Sequence, residues 1–173
     1  MGAPMTEKFF VVSPTSKNFL AQACSQGLSI DKYPPIQIIV HFRGDSIFHS
    51  RLSLAPVFTC LFLGPGAHKA MEGMVHWCEA YAKKNPSPLS FLDLSSFKEK
   101  QLEILKAVSQ ISFGIRSTYQ AIAEQTETSK EEVLATCKQN PLPLLIPCHR
   151  VLSVKDYPGG QALYEILTRF EGI

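Results

Sequence analysis

The sequence predicts an α+β fold in two parts, a small mixed α/β domain over residues 1–88 followed by a mostly helical domain over residues 89–173. Short β-rich runs separated by turn clusters fill the first half. A proline-broken stretch, Lys83 to Leu92, interrupts the middle of the chain, and beyond it capping signatures and apolar stripes at helical spacing follow one another. A length of 173 residues accommodates two small domains.

Phe9 to Val12, Ile36 to Phe42 and Phe58 to Leu63 are the candidate strands, the last stopped by Gly64, Pro65 and Gly66. Met71, Met74, Val75, Cys78, Tyr81 and Ala82 recur at three- and four-residue spacing, which predicts a helix laying one face on a core. Pro86 and Pro88 forbid its continuation, because proline lacks the N–H and clashes with the preceding turn, so Lys83 to Leu92 reads as the interdomain linker. Ser96 followed by Glu99 predicts a capping box, with Leu102, Ile104, Leu105, Val108 and Ile111 as the apolar stripe behind it.

Thr118 precedes a short helical segment, Tyr119 to Gln125, and the polar turn Thr126 to Thr128 leads to a second capping box in Ser129 and Glu132. The order is helix, turn, helix. The second helix stops at Asn140, since Pro141 restricts the residue before it to extended backbone. A last helix, Gln161 to Phe170, follows the turn Tyr157 to Gly160 and carries Ala162, Leu163, Ile166, Leu167 and Phe170 on one face.

Composition excludes several classes. With 45% hydrophobic and 18% charged residues the chain can build a core and is not compositionally disordered. A net charge of +2 and a pI near 8.3 are too mild to announce a nucleic-acid partner by themselves. Five cysteines, an odd number without a C-x-x-C pair, argue against a disulfide framework and for a reducing compartment. No run approaches the roughly 18 apolar residues that cross a membrane, Val57 to Leu63 being strand-sized, and Met1 to Lys8 lacks a signal core. The expectation is a soluble intracellular protein with no membrane partner. His41, His49, His68 and His76 have no zinc-finger spacing with one another or with the cysteines, so neither metal nor cofactor is expected.

The most informative segment is NPLPLLIPCHRV, from Asn140 to Val151, a proline-bounded apolar run that delivers a cysteine, a histidine and an arginine in succession. Cysteine attacks as thiolate, and at a reference pKa of about 8.5 only a few per cent is ionised at neutral pH unless a cationic or basic neighbour helps. His149, Arg150 and a nearby helix N-terminus are the candidates for that help. A lone cysteine is more often an ordinary buried thiol, but its setting reverses that preference. The segment resembles the active-site signature of the methylated-DNA-protein-cysteine methyltransferases, also called alkylguanine-DNA alkyltransferases. The likeness extends to FGIRSTYQAIA (Phe113 to Ala123), to Gly159 and Gly160, and to Glu171 and Gly172, covering roughly Phe97 to Gly172. The first ninety residues match the family only in length and in their mixed α/β pattern.

The resemblance implies a ribonuclease-H-like first domain, a winged helix-turn-helix second domain, and repair of double-stranded DNA containing alkylated guanine by a cytoplasmic (or, in a eukaryote, nuclear) monomer. It further implies that Cys148 displaces the alkyl group from the O-6 oxygen of guanine and keeps it as a thioether, a single turnover. His149 matches the histidine that takes the thiol proton through a water, and Glu171 the carboxylate that orients it. Asn140 matches the asparagine that pins the turn between the recognition helix and the active-site strand. Tyr119 matches the tyrosine that helps rotate the nucleotide out of the duplex and lends its hydroxyl to the leaving oxygen. Extrusion is a physical necessity, because a thiol inside a pocket cannot reach O-6 of a stacked base. Val151, Tyr157 and Gly159 match the wall around the extruded base, and Gln120, Lys130 and Arg150 complete the DNA-contacting set.

Two positions depart from the family pattern. Glu131 stands where the family carries an arginine that fills the hole left by the flipped nucleotide, and an acid facing phosphates weakens affinity. Lys130, its neighbour, points about 100° away around the helix. Pro158 stands where a serine N–H commonly donates to the guanine oxygen, and proline has no such donor. Three rival readings are a non-catalytic lesion-binding protein, a helix-turn-helix regulator reading the major groove through Ser129 to Gln139, and a Cys–His hydrolase. The first is opposed by Cys148 itself, the second leaves PCHRV unexplained, and the third requires repeated turnover.

Overall fold

A computed structural model of the chain describes residues 10–12, 34–55 and 58–173. Four strands form one sheet: β1 (Phe10–Val12), β2 (Ile36–Arg43), β3 (Ser46–Leu54) and β4 (Thr59–Leu63), in the spatial order β1-β4-β2-β3. β2 and β3 are an antiparallel hairpin, β4 lies parallel to β2 on its other side, and β1 closes the edge antiparallel to β4. β2 alternates strictly, so Ile36, Ile38, Val40 and Phe42 all enter the core. Each such side chain contributes about 1.5–3 kcal/mol of burial. Helix α1 (His68–Ala82) adds Met74, Trp77, Cys78 and Tyr81 to the same buried cluster. Its stripe is the one that the heptad-like spacing of the sequence predicts.

The second half is helical: α2 (Glu99–Ser109), α3 (Tyr119–Thr126), α4 (Lys130–Lys138), a single 3-10 turn over Cys148–Arg150, and α5 (Gln161–Glu171). α2, α3 and α4 pack on one another. The Thr118 hydroxyl accepts from the Ala121 N–H to start α3, Glu127 closes it in the left-handed region, and Ser129 with Glu132 forms the reciprocal box that starts α4. Together these make a mixed α+β fold whose buried side chains form one cluster spanning both halves.

Three features differ from the sequence expectation. β3 was not anticipated, because its burial pattern is irregular and its serines, His49 and Arg51 break the apolar alternation. The box proposed at Ser96 and Glu99 does not form. Ser95 is instead tied to the Asp93 carboxylate, and the helix begins after Lys98, whose N–H donates to the Gln101 side chain at 3.1 Å. The segment carrying Cys148 is not a strand: apart from an isolated bridge between Pro143 and Ile146 it is a turn leading into the 3-10 helix. Phe9 and Val57, at the edges of expected elements, lie outside the described residues.

The two halves are stitched by backbone as well as by packing. Ile47 on β3 donates to the Phe91 carbonyl and accepts from the Asp93 N–H, at 2.9 and 2.8 Å. Ser50, also on β3, donates its N–H to the Pro141 carbonyl at 2.9 Å and its hydroxyl to the Pro143 carbonyl at 3.0 Å. Pro141 and Pro143 belong to the loop that presents Cys148, so an unanticipated strand of the first half holds the loop of the second.

Candidate active site

The loop from Asn140 to Cys148 is built around one amide. Asn140 Oδ1 accepts from the Leu142 N–H at 2.9 Å, and its Nδ2 donates to the Ile146 carbonyl at 2.9 Å and to Cys148 Sγ at 3.2 Å. One side chain thus bonds to both ends of the turn and to the sulfur. Pro147, at φ −81° and ψ 64°, sits in inverse γ-turn geometry, and the Cys148 N–H accordingly donates to the Ile146 carbonyl at 2.8 Å. Leu144 is buried at φ 70°, a left-handed conformation that is strained for a side-chain-bearing residue. The surrounding hydrogen bonds, including Ile146 N–H to the Leu142 carbonyl at 2.9 Å, over-determine that conformation.

Glu171 ends α5, with Gly172 capping the helix at φ 75°. A helix C-terminus is the unfavourable end for a carboxylate, and this one is also buried. Its two oxygens are therefore fully engaged: Oε2 hydrogen-bonds His149 Nε2 and accepts from the Tyr81 hydroxyl at 2.9 Å, while Oε1 accepts from Arg150 Nε at 2.6 Å. Burial pushes the carboxyl up, but His149 and Arg150 outweigh it and hold the group down at about 2. Arg150 also donates from Nη1 to the Ile111 carbonyl at 2.6 Å.

The help expected for the thiol is arranged differently. Arg150 is buried with its guanidinium committed to Glu171 and Ile111, so the position assigned to DNA contact faces the protein interior. His149 is fully buried, turns Nε2 to Glu171, and leaves Nδ1 with no protein partner among the described residues. Cys148 instead meets another thiol. A hydrogen bond with Cys137, then burial, push the Cys148 thiol well above its ordinary value, opposed by the Asn140 donor, which favours the thiolate. Cys148 is therefore a protonated thiol at rest, and attack from its sulfur would require a base.

Cys148 opens into a cavity of about 260 Å³, at the small end for ligand pockets. Asn140, Tyr157, Pro158 and Gly159 line it from the second half, and Ser50, Arg51 and Leu52 from β3. Tyr157 is buried with its hydroxyl unpartnered, and a Cβ on Gly159 would meet the Tyr157 ring at 2.8 Å, so only glycine leaves that wall its shape. Val151 is buried directly after the 3-10 turn. A separate cavity of about 280 Å³ includes Arg150 in its lining but no thiol.

The remaining expected residues lie on the outer face. Tyr119 is not part of the Cys148 cavity: its hydroxyl donates to Asp156 Oδ2 at 2.9 Å and accepts from the Ser153 N–H at 3.1 Å. Gln120 is exposed and bonded to Glu124 at 2.5 Å, and Lys130 and Glu131 are exposed in the first turn of α4. Sequence reasoning missed Tyr81, Cys137, Ser50 and Arg51. Cys137 was legible as buried, four residues after Val133 on the inner face of α4, but nothing local to Tyr81 or β3 marks their approach to residues some ninety positions away.

The Glu171 shift fixes a pH dependence. Its folded pKa is depressed, so the stability it contributes is present above the unfolded value near 4.5 and is lost as pH falls through about 2. That contribution is about 3 kcal/mol. Glu171→Gln strands the buried Arg150 charge and destabilises the protein by about 3–5 kcal/mol at neutral pH. Urea unfolding at a series of pH values should show the gap between native and variant narrowing from about pH 4.5 downward; a gap independent of pH would contradict this account.

Known proteins resemble the second half of the chain in sequence and most of it in fold. Residues 99–172 match the family model for the 6-O-methylguanine DNA methyltransferase, DNA binding domain. A methylated-DNA–protein-cysteine methyltransferase of Archaeoglobus fulgidus is 37% identical over 91 residues, which are 47% of this chain and 60% of that protein. One from Methanocaldococcus jannaschii is 40% identical over 87 residues, half of each chain. The match thus spans about half to three-fifths of these relatives' length. The fold resembles the O6-methylguanine methyltransferase of Mycobacterium tuberculosis, with a TM-score of 0.57 at 21% identity over 79% of this chain and 92% of that one. It also resembles the O6-methylguanine-DNA methyltransferase of Pyrococcus kodakaraensis, with a TM-score of 0.52 at 17% identity over 80% and 99%. Over residues 99–172, the chain is similar to the methylated-DNA–protein-cysteine methyltransferases.

Proposed function

We propose that this protein repairs DNA by taking the alkyl group from the O-6 position of guanine onto Cys148, once per chain. The observation that carries the reading is that Cys148 and Asn140, bonded to each other, line one cavity while His149, next in the chain, is held by Glu171. Glu171 fixes His149 through Nε2, which leaves Nδ1 to take the Cys148 proton through a water. The sulfur then attacks the alkyl carbon, the carbon–oxygen bond breaks, and its electron pair goes to the guanine oxygen. The proton taken from the thiol returns to the guanine, so thiol and methylguanine become thioether and guanine.

Asn140 holds the sulfur and the turn, and Tyr157 and Gly159 form the wall against the base, while Val151 is buried outside the cavity lining. Tyr119 must give up its bond to Asp156 before its hydroxyl can serve the leaving oxygen. Gln120 and Lys130 on α3 and α4 face duplex DNA, a reading supported by the solved complex of Mycobacterium tuberculosis OGT with DNA. The finer readings belong to the same proposal: domains at 1–88 and 89–173, ribonuclease-H-like and winged helix-turn-helix, acting as a monomer in the cytoplasm or nucleus. Four free thiols among the described residues suit such a reducing compartment.

Incubation with duplex DNA containing O6-methylguanine should add about 14 Da, one hydrogen exchanged for one methyl, on the peptide containing Cys148. Cys148→Ser should take up nothing while still binding the duplex, because a hydroxyl is almost wholly un-ionised at neutral pH. Methyl appearing on Cys137, or on the Cys148→Ser protein, would overturn the assignment.

A second expectation concerns the exposed acid of α4. Glu131→Arg removes one repulsive charge and adds one phosphate contact, so duplex affinity should rise several-fold at low salt and fall more steeply as salt is added. Unchanged affinity and slope would mean that Glu131 faces away from the DNA.

A further inference from the structure

We infer that Tyr81, from the first half of the chain, is a positioning residue for the nucleophile of the second half. The inference rests on reading Cys148 as the nucleophile. Tyr81 is completely buried, and its hydroxyl donates at 2.9 Å to Glu171 Oε2, the same oxygen that holds His149 Nε2. Arg150 takes the other oxygen. A carboxylate gripped on both oxygens cannot rotate about its last bond, so the ring it holds cannot rotate either. Without Tyr81, Oε2 would be held only by the histidine that it has to orient, and Arg150 at Oε1 would be the only remaining grip independent of that ring among the described residues.

The tyrosine itself is held on several sides. Trp77 stacks on it at 5.2 Å and 12°, while Phe113 and Phe170 meet it at 5.5 and 5.4 Å from the second half. Burial, then the Glu171 charge, keep its hydroxyl protonated well above the ordinary phenol range, so it remains a donor at every physiological pH. The hydroxyl therefore sets the geometry of the base from a helix that lies some seventy residues before the cysteine in the chain. The first half acts as part of the activation machinery as well as a support.

Alkylation of Cys148 by iodoacetamide, followed by peptide mass mapping from about pH 5 to about pH 9, reads thiol activation without any guanine. Its outcome is thus independent of whether alkylguanine is the natural donor. Tyr81→Phe, which keeps the ring, should slow the reaction about fivefold at neutral pH and move the midpoint of its pH profile upward, part of the way to that of His149→Ala. The double variant should behave like His149→Ala alone, because the tyrosine acts only through the histidine. Trp77→Leu, which loosens the same packing but keeps the hydroxyl, should move the midpoint less than Tyr81→Phe does. A native profile in Tyr81→Phe, multiplied losses in the double variant, or an equal midpoint shift in Trp77→Leu would each overturn the inference.

Discussion

A carboxylate withdrawn from water must be compensated or it will not stay charged, and Glu171 is where this protein meets that requirement. It lies at the wrong end of its helix for a negative charge and is nearly inaccessible to solvent, yet it is ionised because His149, Arg150 and Tyr81 converge on it. These three come from two segments that meet only in the fold. Arg150 continues to the Ile111 carbonyl after α2, and Tyr81 continues into the aromatic cluster with Trp77, Phe113 and Phe170. Removing the charge would therefore loosen the joint between the halves as well as the base that serves the thiol.

The loop carrying Cys148 solves a different problem. A nucleophile must point into a cavity while its own backbone stays rigid, and proline-rich sequence removes the donors that regular structure would use. Asn140 substitutes for the missing ladder by bonding to backbone on both sides of the turn and to the sulfur. Ser50 pins the same loop from β3 through two carbonyls that prolines leave free to accept. The strained Leu144 is held in place by these contacts, consistent with strain concentrating where geometry must be specified.

Much of this was legible before any coordinates. The α1 stripe, the Thr118 and Ser129 caps, and the stop before Pro141 all rest on local chemistry that a short window of sequence contains, and each is present in the fold. Cys148, His149, Asn140 and Glu171 were nameable from the motif, and the fold brings them together. Arg150 was nameable too, but not its direction: a buried arginine and a DNA-facing arginine look identical in sequence, and only the position of Glu171 decides between them. Tyr81 and Ser50 were illegible in their roles because their partners lie ninety and more residues away, and β3 hid behind serine, histidine and arginine on a half-exposed strand. Ser96 misled because Asp93 captures the adjacent turn first.

The central claim is that Cys148 is consumed by the group it removes. A thioether offers water no electrophilic carbon comparable to that of an acyl-enzyme, so the base that activates the thiol has no ester-like bond to hydrolyse. The most direct measurement is the stoichiometry of repair: methyl groups removed per chain, followed to completion with increasing excess of methylated duplex. The account predicts a plateau at about one equivalent that does not rise with further duplex. Removal of many equivalents per chain would contradict it.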